Sequence, residues 1–577
     1  MKNFTQLKKN LKKDFDAFKK IRVAVLGDTA TQFLVQAIRG YGYEESMDLE
    51  IFEAEFNQIE RQILDPSSEL YEFKPEVVIL FQSSHKLLGK YNKKKDGHGT
   101  FAADQLEHLN NLLDNLGNQL NAKVICYNFP EIDDAVYGSY ANQIGSSFLY
   151  QLRSLNIKLM ELAEDRNNLF ICDMSSIQNR IGKERLFQAS IYVNTEMVLS
   201  IDALPEVAAK TVSIIGAFQG KMNKCLIIDL DNTMWGGVIG DDGIENIQIG
   251  GLGIGKAFTE FQYWFRKLKN RGIILAICSK NTESVALEPF EKHPDMVIRK
   301  DDIAVFVANW ENKADNIRYI QEILNIGFDS MVFLDDNPFE RNIVRENIPG
   351  ITVPELPEDP AEYLEYLYGL NLFETISYSG ADEKRTKQYQ VEAQRNQVKK
   401  QYVNEEEFLK SLEMISVVEP FNKFNTPRVA QLSQRSNQFN LRTVRYTEAD
   451  VERMSQSDDF HTFTFTLEDK FGDNGLICVI ILKKENEESL FIDTWFMSCR
   501  VLKRGMENFV LNTLVEYARE KGFKYLQGEY IPTAKNEMVR DHYRNLGFKE
   551  QDGRWILETA SYQNNTTFVQ ANMKIYG

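Results

Sequence analysis

The chain has 577 residues, 43% hydrophobic and 26% charged, with a formal net charge of −17. That length suits three or four domains, each with its own core, and that charge excludes binding to nucleic acid or an anionic membrane through the overall field. Six cysteines, scattered at 126, 172, 225, 278, 478 and 499, exclude a disulfide framework or a zinc site and fit a reduced, cytoplasmic chain.

The start, MKNFTQLKKNLKKDFDAFKK, places Phe4, Leu7, Leu11, Phe15 and Phe18 at a spacing that predicts an amphipathic helix over residues 1–20. It lacks the continuous apolar core of a signal peptide, and no later run reaches membrane-spanning length, so no membrane insertion is expected. From Ile21 short apolar runs (IRVAVLG, PEVVILFQSS, AKVICYNF, NLFICDMS) alternate with helical stretches such as 102–120 and 146–165. Apolar strands alternating with helices predict a parallel sheet covered on both faces, here over residues 21–220.

A second α/β unit, 221–360, opens with KCLIIDL. Strands are expected at 272–279, 296–300 and 330–336, and helices at 255–270 and 313–325. Prolines 354, 357 and 360 punctuate its end. Residues 361–412 are polar and helix-prone, which predicts a solvated connecting helix. The last unit, 413–577, is α+β, with strands TFTFTLEDKF, GLICVIILKK and SLFIDTWFMS and helices at 505–521 and 535–545. The fold class is therefore multi-domain α/β.

Chemistry collects where parallel strands end. In the second unit Asp229 and Asp231 close the first strand, Ser279 follows ILAIC, and Asp335 with Asp336 closes MVFL, while Lys313 opens the preceding helix. Carboxylates held that close need a cation or a shared proton. A divalent ion bound by Asp229 and Asp335 would relieve the repulsion and neutralise phosphate, and hard oxygen donors favour Mg²⁺. One carboxylate would attack phosphorus, Asp231 would serve as acid and then base, and Ser279 and Lys313 would hold the nonbridging oxygens. A Ca²⁺-like structural site is the alternative, but it leaves Ser279 and Lys313 without a purpose.

Asp229-Leu-Asp231-Asn-Thr233, Ser279, Lys313 and Asp335-Asp336, in that order, resemble the haloacid dehalogenase (HAD) superfamily. The resemblance implies Asp229 as nucleophile, Asp231 as acid/base, and Asp229, Asp231, Asp335 and Asp336 around magnesium. Thr233, Lys280 and Asn281 are expected on the substrate. Only about 20 residues, glycine-rich, separate Gly236 from Phe258, too few for a sizeable cap domain. The substrate is then large, or neighbouring domains supply the lid.

In the last unit, SCRVLKRG joins a strand to a long helix, and a helix start beside Arg500, Lys503, Arg504 and Gly505 suits a pyrophosphate. Cys499 beside these cations is a buried structural cysteine or an activated thiol. The order of elements resembles the GNAT acyltransferase fold, although Lys503 stands at its first glycine position. CoA or a carrier-protein phosphopantetheine is the expected ligand. His542 and Asp473 are read as packing and turn residues.

Gly27-Asp28-Thr29 resembles the Gly-Asp-Ser of SGNH hydrolases, but Pro205 follows Asp202 where the family has histidine, and His85 reads as a loop residue. That domain is expected to be catalytically silent. The whole order, with DLDNTMWGGVIGDDG, FGDNG and SCRVLKRG, resembles the FkbH-like family. The resemblance implies glyceryl-type transfer from a phosphorylated three-carbon donor to an acyl carrier protein thiol. The alternative is a plain phosphatase of a phosphorylated metabolite, its flanking domains serving only for binding.

Overall fold

Runs of apolar residues bounded by turns fold into strands, and alternation along each strand sends successive side chains to opposite faces. The protein is described by a computed structural model, for residues 2–378, 382, 385–399, 402–498, 501–533 and 535–574. It divides into two compact units, Met1–Gln219 and Gly220–Gly577.

The first unit holds a parallel sheet of β1 (Lys19–Gly27), β2 (Met47–Glu53), β3 (Val77–Phe81), β4 (Lys123–Tyr127) and β5 (Leu169–Cys172), in the order β2-β1-β3-β4-β5. β2 adds to the expected strands; MDLEIFE alternates and lies at the sheet edge. The amphipathic helix is shorter than expected and covers Phe4–Asn10. An Asp14 side chain accepting from the N–H of Asp16 turns the chain. Phe15 and Phe18 then pack against Tyr43, with ring centroids 5.2 and 5.3 Å away.

In the second unit β6 (Cys225–Ile228), β7 (Ile274–Ser279), β8 (Val305–Ala308) and β9 (Met331–Leu334) form a parallel sheet in the order β8-β7-β6-β9. Cys225 and Ile227 of β6, Ile274 and Ala276 of β7, and Met331 and Phe333 of β9 fill one core. Leu226, Ile228, Leu275, Ile277, Val332 and Leu334 fill the other. Each Leu, Ile, Val, Met or Phe among them contributes about 1.5–3 kcal/mol on burial. The strand expected at 296–300 is absent, and β8 takes its place in the sheet. Met296, Val297 and Ile298 are buried, but the N–H groups of Val297 and Ile298 donate to the Gln262 side chain at 2.9 and 3.1 Å instead of to a strand.

An eight-stranded sheet follows: β10 (Ile415–Glu419), β11 (Phe460–Asp469), β12 (Gly472–Lys484), β13 (Ser489–Met497), β14 (Tyr525–Gly528), β15 (Lys549–Gln551), β16 (Arg554–Glu558) and β17 (Gln570–Lys574), ordered β15-β16-β14-β13-β12-β11-β10-β17. The helix expected at 535–545 is broken into a 3-10 turn, Glu537–Val539, and one turn, His542–Asn545. The described residues among 361–412 do not form a solvated connector. Tyr363, Leu367 and Phe373 lie in the core on one face of the four-stranded sheet and Tyr389 in that on the other. Phe408 and Leu412 join the core of the eight-stranded sheet.

Candidate active site

The carboxyl ends of β6, β7 and β9 share one edge of the four-stranded sheet. Asp229 follows β6 directly and its N–H donates to Leu334 O at 2.9 Å. The chain then turns sharply. Asn232 adopts φ +53°, a left-handed conformation that asparagine tolerates, while Leu230, Met234 and Trp235 bury beneath it. Asp335 and Asp336 follow β9. Lys313 opens the helix Lys313–Leu324, whose N-cap Asn312 accepts from the N–H of Ala314, and this start holds the ammonium against Asp229 and Asp335.

Carboxylate oxygens of Asp229, Asp335 and Asp336 lie within 4.8 Å of one another. Lys313 Nζ is 2.9 Å from Asp229 Oδ2 and 2.6 Å from Asp335 Oδ2, and all three side chains are buried. Burial alone would lower the pKa of Lys313, but the two carboxylates hold it raised. Burial, with the like charge of Asp229 behind it, pushes Asp335 up to about 7 and Asp336 up to about 6. Asp229 Oδ1 is buried with no hydrogen-bond partner. A buried carboxylate oxygen left without a partner is costly. A divalent ion would complete it and relieve three carboxylates that face one ammonium. Three hard oxygen donors fit magnesium.

Asp231, expected among the ligands, stands outside this group. Its Oδ1 accepts from Trp235 Nε1 and the N–H of Ile239, both at 3.0 Å, and its Oδ2 from Asn281 Nδ2 at 2.8 Å. Burial raises its pKa, against those hydrogen bonds. Asn281 and Thr233, both expected on the substrate, therefore act on the acids. The Thr233 hydroxyl accepts from the N–H of Asp336 at 3.1 Å and donates to its Oδ1 at 3.4 Å. Lys280 is engaged as well, 2.6 Å from Glu340. Ser279 is buried at the end of β7.

Sequence reading missed Arg341 and Tyr363. Arg341 donates to the carbonyls of Asp335 and Asp336 at 2.8 and 2.7 Å and pairs with Glu355. The Tyr363 hydroxyl donates to Asn232 O at 3.3 Å. An arginine five residues past a double aspartate was the available signal for the first; nothing local marks the second.

Elsewhere the expected groups fare differently. Cys499 and Arg500 lie outside the described residues. Lys503 is exposed, and Gly505 caps the helix Met506–Glu520 at φ +75°. Arg504, expected on a pyrophosphate, is turned inward and buried. It pairs with Glu392 and, at 3.2 Å, with Asp469, and Arg395 shares both acids. His542 is enclosed by Phe439 and Trp495, at 4.9 and 4.5 Å between centroids, and burial pushes it down to about 3. Asp473 accepts from the N–H of Gly475 in a turn. In the first unit both Asp28 oxygens accept from the N–H of Ser83, and burial pushes Asp28 up to about 7. Thr29 Oγ1 is buried without a partner. His85 packs between Phe187 and Tyr192, and burial pushes it down to about 4.

A family model described as "FkbH, N-terminal domain" matches residues 22–216. A solved structure of the N-terminal part of the protein BF1531 from Bacteroides fragilis, containing a phosphatase domain complexed with Mg, is 58% identical. It covers 66% of this chain and 100% of that chain at a TM-score of 0.63. The ribosomal-protein-S18-alanine N-acetyltransferase from Escherichia coli is 16% identical, over 26% of this chain and 98% of that chain, with a TM-score of 0.21. The spermidine N-acetyltransferase from Vibrio cholerae in complex with CoA and spermine is 12% identical, over 25% and 96%, also at 0.21. Among curated proteins none matches the chain.

Proposed function

This chain belongs to the FkbH-like family and carries a HAD-type phosphatase domain, and on that premise we propose that it transfers a phosphoryl group through an aspartyl-phosphate at Asp229. The observation that carries the reading is the convergence of Asp229, Asp335 and Asp336, with a buried unpartnered oxygen on Asp229. Asp229 attacks phosphorus while Asp231 gives its proton to the leaving oxygen. Asp231 then takes a proton from the water that attacks the phosphoaspartate, and inorganic phosphate leaves. Three hydrogen bonds fix Asp231 apart from the group of Asp229, Asp335 and Asp336. Lys313 and Ser279 bind the nonbridging oxygens. Asp229, Asp335 and Asp336 would hold magnesium, which when bound would supply charge neutralisation at the phosphoryl group.

The substrate class is a phosphorylated small molecule. The family resemblance extends the proposal to a phosphorylated three-carbon donor whose acyl group passes to a carrier-protein thiol, with CoA or phosphopantetheine at the loop carrying Lys503 and Gly505. The burial of Arg504 among Glu392, Asp469 and Arg395 favours the plainer reading, a phosphatase whose C-terminal part only binds. Intact-mass analysis of a carrier protein incubated with the chain, Mg²⁺ and a phosphorylated three-carbon acyl donor separates the two. Mass gain on the carrier supports transfer; phosphate release without it leaves the phosphatase alone. Asp229→Asn is expected to abolish phosphate release in either case, and retained turnover refutes the assignment.

A further inference from the structure

Past the register pair Ile492↔Gly528, β13 and its parallel neighbour β14 part. β14 ends there, while β13 runs on to Met497 with its other edge on β12. The backbone groups that residues 493–497 turn toward β14 need partners, since a buried N–H or C=O without one is costly. A pantetheine arm, hung from a phosphate at the start of the helix Met506–Glu520, carries amides that would add to this edge as a strand does.

The gap is already filled by the chain itself. Phe439 O accepts from the N–H of Met497 at 3.1 Å, and the N–H of Leu441 donates to Trp495 O at 3.2 Å. Asn440 bridges antiparallel to Phe496 between them. On the opposite side the N–H of Ile531 donates to Leu441 O at 2.9 Å. Residues 439–441 therefore lie as a short strand between β13 and the segment that follows β14. Phe439 and Leu441 are seated in the core of the eight-stranded sheet. Two side chains hold the insert in place. Asn536, fully buried, donates to the carbonyls of Asn440 and Ile531 at 2.9 and 3.0 Å. Arg442 reaches across the gap, 2.7 Å from Asp493 on β13 and 3.0 Å from Glu529 after β14. Thr443 then turns the chain away at φ +55°, a conformation that a β-branched residue adopts only where its surroundings impose it. The Asn440 side chain does so, accepting the N–H of Thr443 at 2.8 Å.

We infer that residues 439–442 close the sheet as an inserted strand, and that neither CoA nor a carrier-protein phosphopantetheine arm enters between β13 and β14 of the folded chain. Entry would break the three backbone hydrogen bonds, lift Phe439 and Leu441 from the core, and leave Asp493 and Glu529 facing each other without Arg442. Acyl transfer loses its binding place in the sheet, while closure of the gap does not depend on phosphate chemistry at Asp229.

Hydrogen exchange of the full chain reads the insert directly. The amides of Leu441, Met497 and Ile531 are expected to exchange as slowly as those of the β12–β13 ladder, with or without CoA. Arg442→Gln leaves two acids facing each other and is expected to speed exchange at Leu441 and Ile531 by roughly tenfold or more; unchanged rates overturn its part in the closure. Calorimetric titration compares CoA with adenosine bisphosphate, which lacks the arm. Equal affinities, or binding of neither, support closure, and so does tighter binding of CoA with the three amides still protected, since the arm then lies outside the gap. Tighter binding of CoA with faster exchange at Leu441, or fast exchange at the three amides in the free chain, overturns the inference.

Discussion

At the scale of single residues, the site is a balance of charge in a dry place. Burial and the charge of Asp229 push Asp335 and Asp336 up, Lys313 offsets part of this, and the residues around them set direction rather than charge. Thr233 is the clearest case. Its hydroxyl accepts from the N–H of Asp336 and donates to the same residue's carboxylate, so it fixes the angle of that carboxylate. Groups behind metal ligands typically carry 10–100-fold in affinity. Thr233→Val keeps the volume and removes both bonds, so half-maximal phosphate release should need roughly 10–100-fold more Mg²⁺. An unchanged Mg²⁺ requirement would show that Asp336 is oriented without it. His542 makes a different prediction, for stability. Its folded pKa lies below the unfolded value of 6.5 because burial disfavours the charged ring. The unfolded chain therefore binds the extra proton as pH falls. Stability is complete above pH 6.5 and is lost toward pH 3 at about 1.4 kcal/mol per unit for this group. His542→Phe fills the same space between Phe439 and Trp495 and should flatten that slope in urea titrations at pH 4–7; an identical slope would assign the acid sensitivity elsewhere.

At the scale of elements, local pattern carried the reading wherever local pattern decides the outcome. LIID, ILAICS and VFLDD each end an apolar run in a polar residue, and a parallel sheet sends all three ends to one edge. The motif residues 229, 279, 313 and 335 could therefore be placed without knowing their neighbours. Arg504 could not. Four residues of loop say only that it is basic and near a helix start; its direction is set by Glu392 and Asp469, 112 and 35 positions away. The strand misplaced to 296–300 failed for a related reason, since a distant glutamine side chain took the hydrogen bonds a neighbouring strand would have made. The inward turn of Arg504 has a consequence for stability. Arg395, Arg504, Glu392 and Asp469 form a buried network of two cations and two anions. Removing one partner from such a set costs about 3–5 kcal/mol because the others stay buried. Arg504→Met should lower Tm by several degrees while leaving phosphate release per folded molecule intact. A wild-type Tm would mean that Arg395 alone satisfies both acids.

At the scale of the whole molecule, the break at Gln219/Gly220 sets off the first unit, but the phosphatase sheet has no comparable boundary on its C-terminal side. Composition suggested one at residue 360, because the following fifty residues are polar and their apolar anchors are sparse. Sparse anchors suffice when each is well seated. Tyr363 and Leu367 are 2% and 1% exposed and Phe373 is 6% exposed, all against the core that holds β6, β7 and β9 from one side. Three such side chains contribute about 5–9 kcal/mol at 1.5–3 each, against a total stability of about 5–15 kcal/mol for a typical domain. Tyr363 also holds the carbonyl of Asn232 in the turn after β6. A chain ending at residue 360 should therefore lose both the cooperative melting of the phosphatase sheet and its Mg²⁺-dependent rise in Tm. One ending at residue 378 should keep both, because it retains the three anchors. Thermal melts of the two truncated chains, with and without Mg²⁺, decide the matter. Equal behaviour would mean that the sheet closes its core without residues 361–378 and that the turn after β6 needs no support from Tyr363.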